Sequence, residues 1–159
     1  MKNRIQAGFT MVELIVVIVI LGILAAVALP RFMGLEREAR IAALRSMGGT
    51  LNSAAQMAHG MCMAQNCING GNITMDGQVI TFAFGYPNNA SIVRLVQSSE
   101  GFAVAANRFT KTGSANANCW VQYNQPAAAG ASPTITYWNG VVITAANEAA
   151  VTANMRVNC

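Results

Sequence analysis

The sequence predicts an α+β protein in which one long N-terminal helix packs on a small antiparallel sheet. Three observations support this. An apolar run occupies residues 9–29, a helical stripe of apolar residues follows over residues 30–60, and segments of strand composition fill much of residues 61–159. A single helix followed by clustered strands is typical of α+β domains, so the first half of the helix is expected to span a membrane and the second half to be amphipathic.

The apolar run is long enough to cross a bilayer. Its 21 residues would form roughly 32 Å of helix at about 1.5 Å per residue, close to the bilayer core of about 30 Å. A short basic stub containing Lys2 and Arg4 precedes it. Positive residues stay on the cytoplasmic side, so the N-terminus is predicted to be cytoplasmic.

A secretory signal peptide fits this segment less well. Such signals have a shorter apolar stretch and a small-residue cleavage site on its far side. Here the small pair Ala7-Gly8 lies on the near side. A cut after Gly8 would remove residues 1–8 as a leader, leave the apolar segment on the mature chain and create a free amine on Phe9.

Glu13 is an acidic residue close to the start of the apolar run. A carboxylate at the centre of a membrane helix costs about 2.5–3.5 kcal/mol, and less near the interface. Two interpretations stay open on spacing alone. Either Glu13 reaches the interfacial water, or it meets a positive partner such as a Phe9 amine in an assembly of identical helices.

The second half of the helix has one apolar face, formed by Leu44, Met47, Gly48, Leu51, Ala54, Ala55 and Ala58. Pro30 removes a helical hydrogen bond, so a kink is expected there. The charged residues Glu36, Arg37, Glu38 and Arg40 are expected to form a solvated or subunit-contacting turn. We expect the helix to end near Gly60.

Strand composition marks five segments of the C-terminal part, residues 78–84, 102–109, 119–123, 134–138 and 141–144. A turn is predicted at Asp76-Gly77, and Asn139-Gly140 is a strong hairpin signal. Residues 91–97 fit a short helix or a strand about equally. Residues 145–155 fit a short helix, and residues 125–133 have the composition of a loop.

Four cysteines lie in the C-terminal part, and four allow three pairings. In an oxidising compartment we favour Cys62 with Cys67, which closes a tight loop at the helix end, and Cys119 with Cys159. The second bond would tie the last residue to a strand and contribute about 3–4 kcal/mol in the chain-entropy model. A metal site of His59, Cys62 and Cys67 is the competing interpretation, but it lacks the paired C-x-x-C spacing of zinc sites.

No catalytic signature is visible, so we predict that the chain is not an enzyme and needs no cofactor or metal. There is one histidine, and Asp76, Glu100 and Glu148 are scattered along the C-terminal part. Acid–base catalysis needs at least one positioned group with a tuned pKa. The sequence contains no nucleophile elbow, phosphate loop or pair of carboxylates at a suitable spacing.

Nucleic-acid binding has only a thin electrostatic basis. Loss of Lys2 and Arg4 with a leader would lower the formal charge of +4 to +2. The basic residues that could cluster on the C-terminal part are Arg94, Arg108, Lys111 and Arg156. Bases or sugars could stack on the aromatic residues Trp120, Tyr123, Tyr137 and Trp138, although aromatic residues in strands are more often part of a core.

The segment GFTMVELIVVIVILGILAAVALP, from Gly8 to Pro30, resembles the class III leader and N-terminal segment of type IV prepilins. The resemblance implies the pilin fold. It also implies cleavage after Gly8 by a prepilin peptidase, N-methylation of Phe9, and a Glu13 that neutralises the N-terminal amine of a neighbouring subunit. It further implies a helix that bends at Pro30 and can loosen between Pro30 and Gly34.

A narrower resemblance links the C-terminal half to the mannose-sensitive haemagglutinin group of type IV pilins. It rests on FAFGYP at residues 82–87, CWVQYNQP at residues 119–126, Pro133-Thr134 and the terminal cysteine, and PRFMGLEREAR at residues 30–40 fits the same group. Residues 138–158 are longer than expected for that group, and the Cys62–Cys67 pair is additional.

The resemblance implies a structural subunit of a type IV pilus that supports adhesion and, in some fibres, motility or DNA uptake. Its partners would be identical subunits, prepilin peptidase, the inner membrane and its assembly machinery, with nucleic acid as a weak further partner. The subunit would move from the bacterial inner membrane into an extracellular fibre. The alternatives are a minor tip pilin acting as adhesin or DNA receptor, and a type II secretion pseudopilin. Major pseudopilins carry a calcium site and usually no disulfides, whereas this chain has four cysteines and no clustered acids.

Overall fold

The computed structural model describes residues 9–68, 70–114, 117–144 and 146–159. The chain divides into two compact units, one ending at Arg37 and the other spanning Glu38–Cys159. Helix α1, Met11–Ala64, is 54 residues long and contributes to both units. It ends one turn beyond Gly60, where we expected it to stop. The proposed leader, residues 1–8, lies outside the described residues.

The second unit contains the rest of α1, two antiparallel sheets and a C-terminal helix, so the predicted α+β class is confirmed. The first sheet has the order β1-β2-β3, with strands Gly71–Met75, Gln78–Ala83 and Tyr86–Pro87. The second has the order β4-β5-β6-β7-β8, with strands Phe102–Ala105, Arg108–Lys111, Trp120–Asn124, Thr134–Tyr137 and Val141–Val142. Helix α2 is Glu148–Asn158. The strands therefore divide between two sheets instead of forming the single sheet that we expected.

The expected continuous strand over residues 102–109 is wrong, because the chain reverses at Ala106 and Asn107. Ala106 has a φ of 52°, a left-handed conformation that ends a strand. The Asn107 side chain donates a hydrogen bond to the Tyr123 carbonyl and holds the turn against β6. Strands β4 and β5 then pair with each other, from Phe102 opposite Lys111 to Ala105 opposite Arg108.

Several other elements differ in extent from the sequence predictions. Strands β1 and β3 were not predicted, and residues 91–97 contain a 3-10 turn over Ile92–Leu95. The β7–β8 hairpin forms around Gly140, which has a φ of 71°, but its strands are shorter than expected. Helix α2 begins after Asn147, three residues later than predicted. Glu148 therefore lies in its first turn, where the negative charge of a carboxylate interacts favourably with the helix dipole.

The predicted apolar face of α1 forms the centre of the second unit. Leu44, Met47, Leu51 and Ala55 are buried against the second sheet, in a core that includes Phe109, Val121, Tyr123 and Tyr137 from that sheet. Burial of each leucine contributes about 1.5–3 kcal/mol. A separate core cluster joins the end of α1 to the first sheet and comprises Ala58, Cys62, Cys67, Ile73, Ile80 and Phe82.

Candidate functional site

Thr10 and Glu13 cap the N-terminus of α1 through reciprocal hydrogen bonds. The Thr10 backbone N–H and hydroxyl donate to Glu13 Oε2 at 2.9 Å and 2.8 Å, and the Glu13 N–H donates to Thr10 Oγ1 at 3.2 Å. This is a capping box, in which the residue before the helix and the third helical residue satisfy each other's backbone donors. This role of Thr10 and Glu13 was not predicted, although the T-x-x-E spacing is its usual signature.

The apolar part of the first unit exposes its large side chains. Phe9 is 87% exposed and Leu29 is 64% exposed, and the large apolar residues between them are all about half exposed or more. By length and composition, α1 is a helix that could cross a membrane. Exposure of so much apolar surface to water is unfavourable, so this segment requires lipid or other protein around it.

Pro30 and Gly34 both lie inside α1, which is continuous across them. No neighbouring atom lies within 4 Å of the position that a Cβ on Gly34 would take. Packing within the chain therefore does not require glycine at this position. The bend and the local loosening attributed to these two residues stay predictions.

All four cysteines form disulfides in the structure, Cys62 with Cys67 and Cys119 with Cys159. The Cα atoms are 5.0 Å apart in the first pair and 4.9 Å apart in the second. Asn66, with a φ of 55°, turns the chain back at the end of α1, and the Cys67 N–H donates to the Cys62 carbonyl at 3.0 Å. The first bond joins the end of α1 to the loop that precedes β1, and the second joins the residue before β6 to the last residue of the chain.

The competing metal interpretation of His59, Cys62 and Cys67 is wrong, since both thiols are in a disulfide. The His59 ring stacks on Tyr86 with centroids 4.0 Å apart, and its Nδ1 lies 2.7 Å from the Gly85 carbonyl oxygen. Within the described part of the chain, no three His, Cys, Asp or Glu side chains are grouped closely enough to bind a metal ion.

Helix α2 is attached to α1 within the second unit by polar contacts that the sequence did not indicate. Arg156 Nε lies 2.5 Å from Glu38 Oε1, and Arg45 Nη2 lies 3.2 Å from Glu148 Oε1. Arg40 Nη1 donates to the Cys159 carbonyl at 3.0 Å. Glu38 thus contacts α2 of the same chain, and Arg40 contacts Cys159, the residue that follows it, whereas we expected a solvated or subunit-contacting turn.

The basic residues of the second unit have different environments. Arg94 donates to the Val79 carbonyl at 2.6 Å, and Arg156 is paired with Glu38. Arg108 and Lys111 both lie on β5, where each is close to an aromatic ring. They are three positions apart and therefore project from opposite faces of the strand, so the four basic residues do not form one cluster.

The predicted aromatic residues fall into two groups. Tyr123 and Tyr137 are core residues, so stacking on an outside ligand is excluded for them. Burial raises the pKa of Tyr123, and the electrostatic effect of the nearby Tyr86 raises it further. The Tyr123 hydroxyl donates a hydrogen bond to the Pro87 carbonyl at 2.8 Å. Burial also raises the pKa of Tyr137, although the positive charge of Arg45 acts to lower it. Trp120 is also buried and Trp138 is half-buried, and their rings lie edge to face.

A family model described as the prokaryotic N-terminal methylation motif matches residues 3–29. The chain carries this motif. The match covers residues 3–8 of the proposed leader, Phe9, the capping box and the exposed apolar segment, and the prepilin resemblance rests on these residues. Gly8 itself lies outside the described residues.

Named relatives extend the resemblance beyond the methylation motif. The chain is 45% identical over 51 residues to the major component of a type IV narrow pilus of Thermus thermophilus, which covers 32% of this chain and 44% of that protein. It is 31% identical over 83 residues to a fimbrial protein of Eikenella corrodens, with coverages of 50% and 54%. It is also 49% identical over 41 residues to core protein G of a type II secretion system of Pseudomonas aeruginosa, with coverages of 26% and 29%.

The resemblance to type IV pilins is confirmed by these matches, but its extent is limited. The chain spans about half the length, or less, of the curated relatives that it matches. No solved structure matches it. The narrower resemblance to the mannose-sensitive haemagglutinin group stays a prediction.

Proposed function

We propose that this chain is a structural subunit of a type IV pilus. Residues 9–29 hold it in the bacterial inner membrane with the N-terminus cytoplasmic, and the assembly machinery moves it into an extracellular fibre. One observation carries the proposal: an apolar helix with exposed side chains, marked by the methylation motif, precedes a disulfide-bonded α+β unit. Such a helix can be covered first by lipid and then by the helices of identical subunits.

Processing begins with prepilin peptidase cutting after Gly8, followed by N-methylation of Phe9. The cut creates an ammonium group on Phe9, four residues before Glu13, at the edge of the apolar segment. Charges inside an apolar assembly are tolerated when they are paired. The Glu13 carboxylate of one subunit neutralises the Phe9 amine of its neighbour, and this pairing sets the axial register between subunits.

The contact with Thr10 explains how Glu13 is accommodated before assembly. In the single chain, the carboxylate accepts hydrogen bonds from the Thr10 N–H and hydroxyl at 2.9 Å and 2.8 Å. A carboxylate has about four lone-pair sites, so Glu13 can keep these bonds and still accept an incoming ammonium group. The capping box thereby positions the carboxylate for its partner.

Fibre assembly also gives roles to Pro30 and Gly34. Proline removes one backbone hydrogen bond, and glycine destabilises a helix by about 1 kcal/mol relative to alanine. We assign to this stretch the local loosening that lets the apolar half of α1 adapt to neighbouring helices.

Intact mass measurement of sheared fibres tests the proposal. Fibres are sheared from cells, and the chain is measured in the sheared fraction and in the membrane pellet. The expected species is abundant in the sheared fraction, lacks residues 1–8, is one methyl group heavier, and is four hydrogens lighter because of its two disulfides. An uncleaved chain, or processed chain absent from the sheared fraction, contradicts the proposal.

A type II secretion pseudopilin is the second candidate, and the identity to core protein G favours it. That similarity is confined to 26% of this chain, and the Thermus pilus component shares a longer stretch of 51 residues. Processed protein retained in the membrane, together with a secretion defect on deletion, would support the pseudopilin.

A minor tip pilin, acting as adhesin or DNA receptor, differs from the main proposal in abundance. A low ratio of this chain to another pilin in sheared fibres would support it. Under each of these assignments, we propose that the chain has no catalytic activity and works through assembly and binding.

A further inference from the structure

The face of the second sheet that points away from α1 carries a polar surface with two tryptophans. Successive side chains in a strand alternate between faces. Phe109, Val121 and Tyr123 are core residues, so their neighbours in β5 and β6 lie on the opposite face. We call this the outer sheet face, and its central residues are Arg108, Thr110, Trp120, Gln122, Asn124 and Thr136.

Charge on this surface has one sign. The sequence contains no Asp or Glu from residue 101 to residue 147, and its only charged residues there are Arg108 and Lys111. A surface without acids, centred on an exposed arginine, is complementary to an anion.

Two contacts hold the Arg108 guanidinium in place. Its Cζ lies 4.3 Å from the centre of the Trp120 ring, and its Nε donates to Gln122 Oε1 at 3.1 Å. Trp120 is only 9% exposed, so it provides a rigid support. Within the described residues, Nη1 and Nη2 of Arg108 donate to no protein acceptor. These two nitrogens match the two oxygens of a carboxylate.

The hydrogen-bond chain continues from Arg108 across the sheet. Gln122 Nε2 donates to Asn124 Oδ1 at 3.1 Å, and Asn124 Nδ2 donates to Thr136 Oγ1 at 3.0 Å. The chain crosses three neighbouring strands and fixes both amide groups. Polar groups that are already ordered lose little conformational entropy when a ligand binds.

Trp138 adds an apolar contact beside this network. It lies in the 3-10 turn after β7, half-buried, with its ring centre 6.4 Å from that of Trp120 and the two ring planes at 77°. A partly exposed indole ring close to polar side chains offers an apolar surface against which the C–H face of a sugar can pack.

We propose that the outer sheet face binds an acidic polysaccharide. A sugar carboxylate pairs with Nη1 and Nη2 of Arg108, sugar hydroxyls bond to the amides of Gln122 and Asn124, and a sugar ring packs on Trp138. This site is separate from the apolar segment of α1, and its occupancy does not depend on fibre assembly.

The spacing of charge favours a polysaccharide over a polynucleotide. A polynucleotide carries one phosphate per nucleotide, and proteins that bind it neutralise several phosphates along the strand. The outer sheet face presents a single cation, Arg108, because Lys111 lies on the same face of β5 as the core residue Phe109. A carboxylate that is separated from the next one by neutral sugar hydroxyls fits one guanidinium group surrounded by amides and hydroxyls.

Intrinsic fluorescence provides a direct test, because Trp120 and Trp138 are the only tryptophans in the chain. The full-length protein in non-ionic detergent micelles is titrated with an oligogalacturonate. A neutral galactose oligosaccharide of the same length and an oligothymidylate are titrated in parallel. The oligogalacturonate is expected to produce a saturable change in tryptophan emission. The other two probes are expected to bind at least tenfold more weakly.

Variants assign the binding to the arginine fork. Arg108→Gln is expected to weaken oligogalacturonate binding at least tenfold. Arg108→Lys is expected to weaken it several-fold, because lysine keeps the positive charge but lacks the two parallel donors, Nη1 and Nη2, of the guanidinium group. Arg94→Gln removes the same charge from an exposed position beside β2 and should leave binding unchanged. Circular dichroism and an unchanged melting temperature establish that each variant is folded.

Each of the following results would overturn the proposal. They are equal binding of the neutral oligosaccharide, tighter binding of the oligothymidylate, and an Arg108→Gln protein that binds as tightly as the wild type. Absence of any saturable change with the oligogalacturonate, in the folded wild-type protein, would also overturn it. None of these results bears on whether the chain forms fibres.

Discussion

Glu13 has two roles at the residue scale, a helix cap in the single chain and, in our proposal, a charge partner in the fibre. Glu13→Gln keeps an acceptor for the Thr10 N–H but removes the charge. We expect processed, stable protein in the membrane and at least tenfold less chain in the sheared fraction, because an unpaired Phe9 ammonium group would be placed in an apolar assembly.

The measurement for Glu13→Gln is quantitative immunoblotting of sheared and membrane fractions. Glu36→Gln, which removes a charge beyond the apolar segment, is the matched control and should leave fibre yield unchanged. Normal fibre yield from the Glu13→Gln strain would contradict the pairing.

Gly48 and Gly49 are adjacent in α1 and are expected to respond oppositely to alanine. A Cβ on Gly48 would overlap Tyr137 Oη and lie 3.0 Å from Tyr137 Cζ, whereas a Cβ on Gly49 meets nothing within 4 Å. Tyr137 is buried and cannot move freely. Gly48→Ala should therefore destabilise the second unit by about 1–2 kcal/mol, and Gly49→Ala should stabilise it by up to about 1 kcal/mol.

Urea unfolding followed by tryptophan emission checks the Gly48 and Gly49 pair. Tyr137→Phe removes the atom that the new Cβ would meet first, so it should recover part of the loss in the Gly48→Ala background. Equal effects of the two alanine substitutions would show that the close approach of α1 and β7 is not a constraint.

Ionisation of Tyr123 makes the free energy of unfolding depend on pH in the alkaline range. Its pKa is raised in the folded chain by burial, above an ordinary value of about 10. The folded state then holds the phenolic proton more tightly than the unfolded state. The resulting stabilisation is complete below about pH 10 and is lost as the pH rises towards the folded pKa, by up to about 1.4 kcal/mol per pH unit.

The measurement is urea unfolding on both sides of about pH 10. Tyr123→Phe should show a shallower decline of the unfolding free energy at alkaline pH. Below about pH 10 it should also be destabilised by about 1 kcal/mol, because the bond to the Pro87 carbonyl is lost. A slope identical to that of the wild type would show that Tyr123 does not contribute.

At the element scale, the two disulfides differ in the length of chain that they close. Cys62 and Cys67 are five positions apart, and Cys119 and Cys159 are 40 apart. The chain-entropy model gives about 2 kcal/mol for the short loop and about 4 kcal/mol for the long one. Double substitution of Cys119 and Cys159 by alanine should therefore cost more stability than the same change at Cys62 and Cys67.

Thermal unfolding of the two double variants checks this order. Cys62 and Cys119 are fully buried, Cys67 is 7% exposed and Cys159 is half-buried. Each pair therefore has one fully buried and one less buried cysteine, so the loss of buried apolar area differs little between the two double variants. A larger loss from the short-loop variant would show that strain or packing at the end of α1 outweighs chain entropy.

The ion pairs between α1 and α2 are expected to add much less than the disulfide beside them. The side chains of Arg156 and Glu38 are 55% and 48% exposed, and pairs of this kind contribute at most about 1 kcal/mol. The apolar contacts of Val151 and Met155, which are buried in the first core cluster, hold α2 more strongly.

At the scale of the whole molecule, the second unit has all the parts of an independent domain. The core residues, both disulfides and both sheets lie between Glu38 and Cys159. A chain that begins at Glu38 should remain monomeric without detergent and melt cooperatively, while the full chain should need detergent or lipid because of its exposed apolar segment.

Size-exclusion chromatography and calorimetry of the two chains check this prediction. An aggregated or non-cooperative chain from Glu38 would show that residues before Glu38 contribute to folding of the second unit. Reduction of both disulfides in the shorter chain provides an unfolded reference.

The local sequence pattern was sufficient to predict those elements in which one periodicity or one composition dominates. The apolar run, the buried face from Leu44 to Ala58, the hairpin at Asn139-Gly140 and the strand around Val121 were all predicted. Short, alanine-rich strands such as Phe102–Ala105 carry weak signals, because small residues fit strands, turns and helices almost equally. Their ends are set by partner strands, and the turn at Ala106 depends on an Asn107 side chain bonded to β6.

By itself, the sequence determined the apolar segment, the α+β class and the position of Glu13, because apolar length, period and charge act within a few neighbouring residues. Only the tertiary structure decided that Arg108 rests on Trp120 and that α2 joins α1 through Glu38 and Arg156. The last of these links residues 118 positions apart. Contacts across such separations depend on how complete elements pack, and no local pattern encodes them.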